Sequence, residues 1–128
     1  MRLLLDTCVL LWIARNDPSL PERVRAIIEH RDAELLASSV SAWEIAIKHA
    51  RGRLSLPVAL ERFLPALRER YQLAALSIDE ASALHIAKLP RLHADPFDRM
   101  LVSQAIVHGL TIVTPDPLVT QYPARTMW

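Results

Sequence analysis

Asp6 directly follows the apolar run Leu3-Leu4-Leu5, and Asp116 follows Thr111-Ile112-Val113-Thr114 near the other end of the chain. Between them stand Glu44, at the start of an amphipathic segment, and the run H-A-D-P-F-D-R-M, which holds Asp95 and Asp98. Carboxylates that meet in space offer hard oxygen ligands, and with no thiolate and few imidazoles near them the set favours Mg²⁺ or Mn²⁺. A cation held that way in a shallow cleft lowers the pKa of a water and stabilises a leaving oxygen. That is the chemistry of phosphodiester hydrolysis, with no covalent protein intermediate.

The elements that must carry these residues alternate between short apolar strands and helical periods. Strands are expected at 2–5, 35–37, 73–78 and 111–114, with 126–128 as a short fifth. Helices are expected at 7–14, from Pro21 to about His30, and at 40–50, 58–70, 79–88 and 96–108. Within 40–50 the apolar residues at 43, 46, 47 and 50 predict an inward face, and Gly52 and Gly109 are natural helix stops. The alternation argues a three-layer α/β/α domain with a central parallel sheet of four or five strands, as one domain over 1–128. Such sheets bind ligands outside the carboxyl ends of their strands, where Asp6 and Asp116 would lie.

Composition bounds the reading. Of 128 residues, 52% are apolar and 23% charged, which fits a packed globular chain and excludes disorder. The net charge of +1 gives no overall basic field, so a polyanion would need a local patch. The densest basic stretch is Lys48, His49, Arg51 and Arg53, to which Arg68 and Arg70 add; cations there also suit the end of a helix. Aromatic residues make up only 5%, which argues against an aromatic platform for bases. Cys8 is the sole cysteine, so no internal disulfide or thiolate zinc site can form, and a reducing cytoplasm is the expected setting. Asp6 interrupts the apolar N-terminus, which therefore reads as mature structure, and no run is long enough to span a membrane.

Each acid also has a local explanation. Asp95-Pro96-Phe97-Asp98 reads as N-cap, proline at N1 and an acid at N3. Ser41-x-x-Glu44 matches a capping box, and Asp6 could cap the helix after it. The set behaves differently from its members. Each pair of charges about 5 Å apart repels by roughly 3 kcal/mol at an effective dielectric near 20. Several such pairs rival the roughly 5–15 kcal/mol stability of a domain. Helix N-termini offset only about 0.3–1 kcal/mol apiece. A converged cluster would thus need raised pKa values and a bound cation.

The order L-L-L-D-T, S-x-x-E-I-A-I-K at 41–48, H-x-D-P-F-D-R at 93–99 and T-I-V-T-x-D at 111–116 resembles the PIN-domain nucleases. More narrowly it is similar to the VapC-type toxins of bacterial toxin–antitoxin pairs, over essentially the full chain. The resemblance implies that Asp6, Glu44, Asp98 and Asp116 are the catalytic acids. Asp6 and Asp98 would be the principal Mg²⁺ ligands, with Mn²⁺ as substitute. Glu44 and Asp116 would hold a second metal or orient the attacking water, and Asp95 is a further candidate ligand. It also implies an endoribonuclease that leaves a 5′-phosphate and a 3′-hydroxyl, pairs as a homodimer and is silenced by a small antitoxin.

Around the acids, Thr7 and Ser39 could hydrogen-bond a carboxylate or a metal-bound water. Arg99 could contact a substrate phosphate, although a solvated helix-face arginine is the simpler expectation. His93 is expected as a loop histidine satisfied by backbone rather than a general base, and Cys8, Trp12 and Trp43 as core or interface residues. The segments 7–14, 21–30 and 58–70 are candidate surfaces for a partner. Two rivals stand beside the ribonuclease reading: a Mg²⁺-dependent DNA nuclease of the flap-endonuclease type, and a phosphoacceptor receiver module. The receiver lacks support where it needs a lysine after its last strand, since Pro115 and Asp116 stand there.

Overall fold

The computed structural model describes residues 1–128. Five parallel strands, β1 (Arg2–Leu5), β2 (Glu34–Ser38), β3 (Ala74–Leu76), β4 (Thr111–Val113) and β5 (Arg125–Met127), form one sheet in the order β3-β2-β1-β4-β5. The register pairs Leu4 with Leu36 on one side and with Ile112 on the other. Strand order reverses direction between β1 and β4, which opens a crevice at their carboxyl ends. Both edges of β1 are covered, so it is apolar along its length: Leu3, Leu4 and Leu5 are all buried.

Alternate residues of β1 feed two cores. Leu3 and Leu5 join the face covered by α1 (Thr7–Arg15), α2 (Glu22–Ile28) and α4 (Leu60–Tyr71). The inward residues there include Val9, Leu10, Val24, Ile28, Phe63 and Leu67. Leu4 joins the opposite face with Leu101, Val102 and Ala105 of α6 (Pro96–His108) and with Val119 and Tyr122 of the C-terminal segment. The short α5 (Glu80–His85) packs on α6, and a 3₁₀ turn over Ile86–Lys88 completes the segment expected as one helix. The result is the expected three-layer α/β/α architecture, with five strands. No helix is long and apolar enough to cross a membrane.

Helix α3 (Ser39–Ala50) departs from the expected phase. Its buried residues are Val40, Ser41, Glu44 and Ile45, whereas Trp43 is 54% exposed and Ala50 lies open to solvent. The apolar periodicity therefore does not set the buried face. A polar stripe of Ser41 and Glu44 faces the sheet edge instead, which is a rule broken for a site. Trp43 is not a core residue, and its ring meets Phe97 of α6 edge-on at 4.9 Å. Trp12, half-buried, packs on Trp128 at 5.8 Å, and residues 7–14 of α1 are all buried or half-buried. The apolar stripes of α2 and α4 likewise turn into the core rather than outward.

Candidate metal centre

Asp6 ends β1 and caps α1. One carboxylate oxygen accepts from the Thr7 backbone N–H at 2.7 Å, and the other from the Thr114 hydroxyl at 2.6 Å, just past β4. The residue is 5% exposed, and burial pushes its pKa up despite those two donors, with the charges of Glu44 and Asp116 adding to the rise. Asp98 sits in the first turn of α6, where Asp95 is the N-cap: the Asp95 carboxylate accepts from the N–H groups of Phe97 at 2.8 Å and Asp98 at 3.3 Å. Burial, then the charges of Asp6 and Asp95, raise Asp98 to about 7, with its His93 hydrogen bond opposing the shift.

Glu44 is the most exacting of the four. Lys48, one turn along α3, donates to its Oε2, while its Oε1 is buried with no hydrogen-bond partner. A buried carboxylate oxygen left unpaired costs free energy unless a ligand satisfies it. Asp116 follows β4 through Thr114, whose hydroxyl oxygen accepts from the Asp116 N–H at 3.1 Å. Its Oδ2 lies 3.5 Å from His93 Nε2, and the ligand atoms of His93, Asp98 and Asp116 fall within 4.8 Å of one another. The acids supply carboxylate oxygens, with the His93 imidazole beside them, and one oxygen is orphaned in the interior. That set fits a hard divalent cation.

All four expected acids thus gather at the carboxyl edge of β1 and β4. Asp95 uses Oδ1 for capping, and its charge acts on Asp98. Thr7 holds Asp6 by its backbone, while its hydroxyl pairs with Ser41 at 2.9 Å. Ser39 lies exposed and makes no hydrogen bond to the acids. Its neighbour Ser38 caps α3 and donates to Gln104 at 2.6 Å. Arg99 is not a solvated arginine: its guanidinium donates to the Pro90 and Ile86 carbonyls and the Tyr122 hydroxyl. His93 is not merely satisfied by backbone, since Nε2 lies 2.7 Å from Asp98 Oδ2. Ser41, expected as a capping-box residue, instead pairs with Thr7, and the roles of Thr114 and Tyr122 were not foreseen. Cys8 sits near the acids, and burial together with the charges of Asp6 and Asp98 pushes its thiol up to about 12, leaving it unreactive.

Fold and site define an α/β protein with an acidic, cation-type centre at the switch point of a doubly wound sheet. The chain belongs to the PIN domain family, whose model matches residues 3–123. It is 29% identical to "Ribonuclease VapC22" of Mycobacterium tuberculosis over 113 residues, covering 88% of this chain and 85% of that protein. A second relative from the same organism, "Ribonuclease VapC16", is 36% identical over 61 residues, 48% of this chain and 43% of that protein. Among solved structures, the fold matches the VapBC2 complex of Rickettsia felis bound to a DNA fragment from its promoter. There the TM-score is 0.74 at 15% identity, covering 99% of this chain and 98% of that one. The DNA-bound VapBC of Salmonella typhimurium gives 0.68 at 22%, over 99% and 97%. Family membership sets aside the receiver alternative.

Proposed function

We propose that this chain is a divalent-metal-dependent endoribonuclease, a single nuclease domain acting as the toxin of a type II toxin–antitoxin pair. The observation that carries the reading is the orphaned Glu44 Oε1 together with Asp6 and Asp98, two carboxyls whose pKa values are raised first by burial and then by neighbouring acids, Glu44 among them. The ribonuclease names of the relatives and the VapBC complexes among the fold neighbours support RNA as substrate and an antitoxin as partner.

In this reading Asp6, Glu44, Asp98 and Asp116 hold Mg²⁺, with Mn²⁺ as substitute. When bound, the cation supplies a low-pKa water and charge neutralisation at phosphorus. Asp6 is pinned through both oxygens, which fixes the site to the sheet edge. Lys48 holds Glu44 by Oε2 and leaves Oε1 directed to the site's needs. The exposed Lys48, His49, Arg51 and Arg53 at the end of α3 give a phosphate backbone a place to lie. An apolar groove between α3 and α4, lined by Ala42, Ile45, Ala46, Leu60, Phe63 and Leu64, suits an antitoxin helix. A homodimer in the cytoplasm completes the proposal.

The test is incubation of purified protein with matched single-stranded RNA and DNA under Mg²⁺, with EDTA as control. RNA cleavage to 5′-phosphate ends, abolished by EDTA, is expected. Cleavage of DNA alone would replace this reading with the flap-endonuclease type.

A further inference from the structure

His93 lies on a connecting loop that is tied down from several sides. Its backbone N–H donates to the Tyr122 hydroxyl at 3.0 Å. Arg99 donates to the same hydroxyl at 3.2 Å and to the carbonyls of Pro90 at 3.0 Å and Ile86 at 3.3 Å. Tyr122 is 3% exposed and belongs to the core under α6, so the anchor is rigid. The imidazole delivered by this loop is 14% exposed and sits between Asp98 and Asp116.

Its spacing alone would admit a metal ligand. The hydrogen bonding argues otherwise. The Asp95 N–H points at Nδ1 over 3.4 Å, so Nδ1 presents its lone pair and the ring proton belongs on Nε2. That Nε2–H then donates to Asp98 Oδ2 at 2.7 Å, while Asp116 Oδ2 lies 3.5 Å from the same nitrogen without a hydrogen bond to it. A ring nitrogen that carries a proton has no lone pair for a cation. Histidines that do bind metals usually give their other N–H to an acceptor, and here the other nitrogen faces a donor.

We infer that His93 is a positioning residue, an Nε2–H donor that holds Asp98 by one oxygen, beside Asp116, so that the other Asp98 oxygen is free for the cation. The inference rests on the metal-dependent reading above. Without this hydrogen bond the Asp98 carboxylate is free to swing away from Asp116, and the cation must reorganise it on binding. Arg99 and Tyr122 act one step further back, by fixing the loop that presents the ring.

Calorimetric titration of the full chain with Mg²⁺ and Mn²⁺ tests this, with thermal midpoints of the metal-free variants recorded alongside. His93→Ala is expected to weaken binding of both ions by about 10–100-fold with little change in metal-free midpoint. His93→Gln, whose amide can place an N–H donor near the Nε2 position, should recover most of the loss. Tyr122→Phe, which removes the acceptor for the loop N–H, should weaken binding less than His93→Ala. Pulsed electron paramagnetic resonance of the Mn²⁺-loaded protein should show no directly bound nitrogen. Wild-type affinity in His93→Ala overturns the inference and leaves the metal-dependent function standing. A bound nitrogen that disappears in His93→Ala overturns it in favour of a direct ligand. Failure of the wild-type chain to bind either ion removes the metal-dependent reading itself, and this inference with it.

Discussion

Leu5 and Asp6 are neighbours in the chain and live under opposite rules. Leu5 is 0% exposed and packed among apolar side chains, so everything around it favours the folded state. Asp6 is 5% exposed, yet it is an acid facing other acids, with its carboxyl pushed away from the charged form. The same contrast recurs across the sheet, where Val113 is core and Asp116 is cluster. The strand interior supplies stability, and the edge one residue further on consumes some of it to keep oxygens available. Concentrated strain of this kind at a strand edge is what a ligand site looks like before its ligand arrives.

The largest expected effect separates the two regions by activity. Asp6→Asn and Asp98→Asn should each lower RNA cleavage by more than the roughly 100-fold typical of groups that only support a metal ligand. Asp98→Asn should not destabilise the metal-free fold, because it removes a buried charge from a repelling set; Asp6→Asn also gives up one of two accepted hydrogen bonds, which offsets that gain. Leu5→Ala should do the reverse, costing about 2–5 kcal/mol of stability in a denaturant melt. Full cleavage activity in Asp98→Asn would break the assignment of the site. A loss of stability in Asp98→Asn as large as in Leu5→Ala would break the contrast itself.

The edge should also respond to pH in the sense opposite to an ordinary paired carboxylate. Asp98 rises from the usual 3.8 to about 7 in the fold. Between those values the folded state keeps a proton that the unfolded chain has released, so metal-free stability falls as pH rises from about 4 to about 7. A saturating cation reverses the trend, adding about 2.7 kcal/mol at one hundred times its dissociation constant. Thermal melts at pH 5 and pH 8, with and without Mg²⁺, check both signs. A metal-free midpoint that climbs with pH over this window would refute the raised carboxyl.

Much of this arrangement was legible in the residues. Asp95-Pro96 announces the start of α6, Gly109 with φ +66° its end, and the strand-end positions of Asp6 and Asp116 place them at the carboxyl edge. What stayed hidden has a common cause. His93 is set by a partner 29 residues away, and no local period encodes that distance. Thr114 reads as one more strand residue until its hydroxyl is seen on Asp6. In α3 the apolar pattern pointed to Trp43, but the site draws in Glu44 and turns the helix so that Trp43 faces out. Ser38, not Ser41 of the expected capping box, caps that helix, because the chain turns helical directly from the end of β2. Periodicity reports what the core wants, and it misleads where the site overrides the core.

A smaller effect probes how Asp6 is held. Thr114→Val keeps the shape of the side chain and removes the hydroxyl that serves both Asp6 Oδ2 and the Asp116 N–H. The lost bond to a charged group should cost about 1.5–3 kcal/mol in metal-free stability at neutral pH. Because the Thr114 hydroxyl lowers the Asp6 pKa, its removal lets that pKa rise further, and the cost should shrink in acid. A pH-independent loss would mean the threonine matters for packing alone.

The smallest expected effect lies where the two regions meet. Lys48 donates to Glu44, and that hydrogen bond raises the lysine's pKa, so the lysine carries its charge at neutral pH. The lysine side chain is 48% exposed, however, while the Glu44 side chain is 7% exposed. Solvent screens the outer half, so Lys48→Met should cost only about 0–1 kcal/mol, fading with added salt. A larger, salt-insensitive loss would mean that the lysine is neutralising buried charge that Glu44 shares with Asp6 and Asp98. In that case saturating Mg²⁺ should rescue the variant, because a cation at the orphaned Oε1 would supply the missing positive charge from the inner side. Whether Mg²⁺ rescues Lys48→Met therefore decides on which side of the boundary between scaffold and site this ion pair belongs.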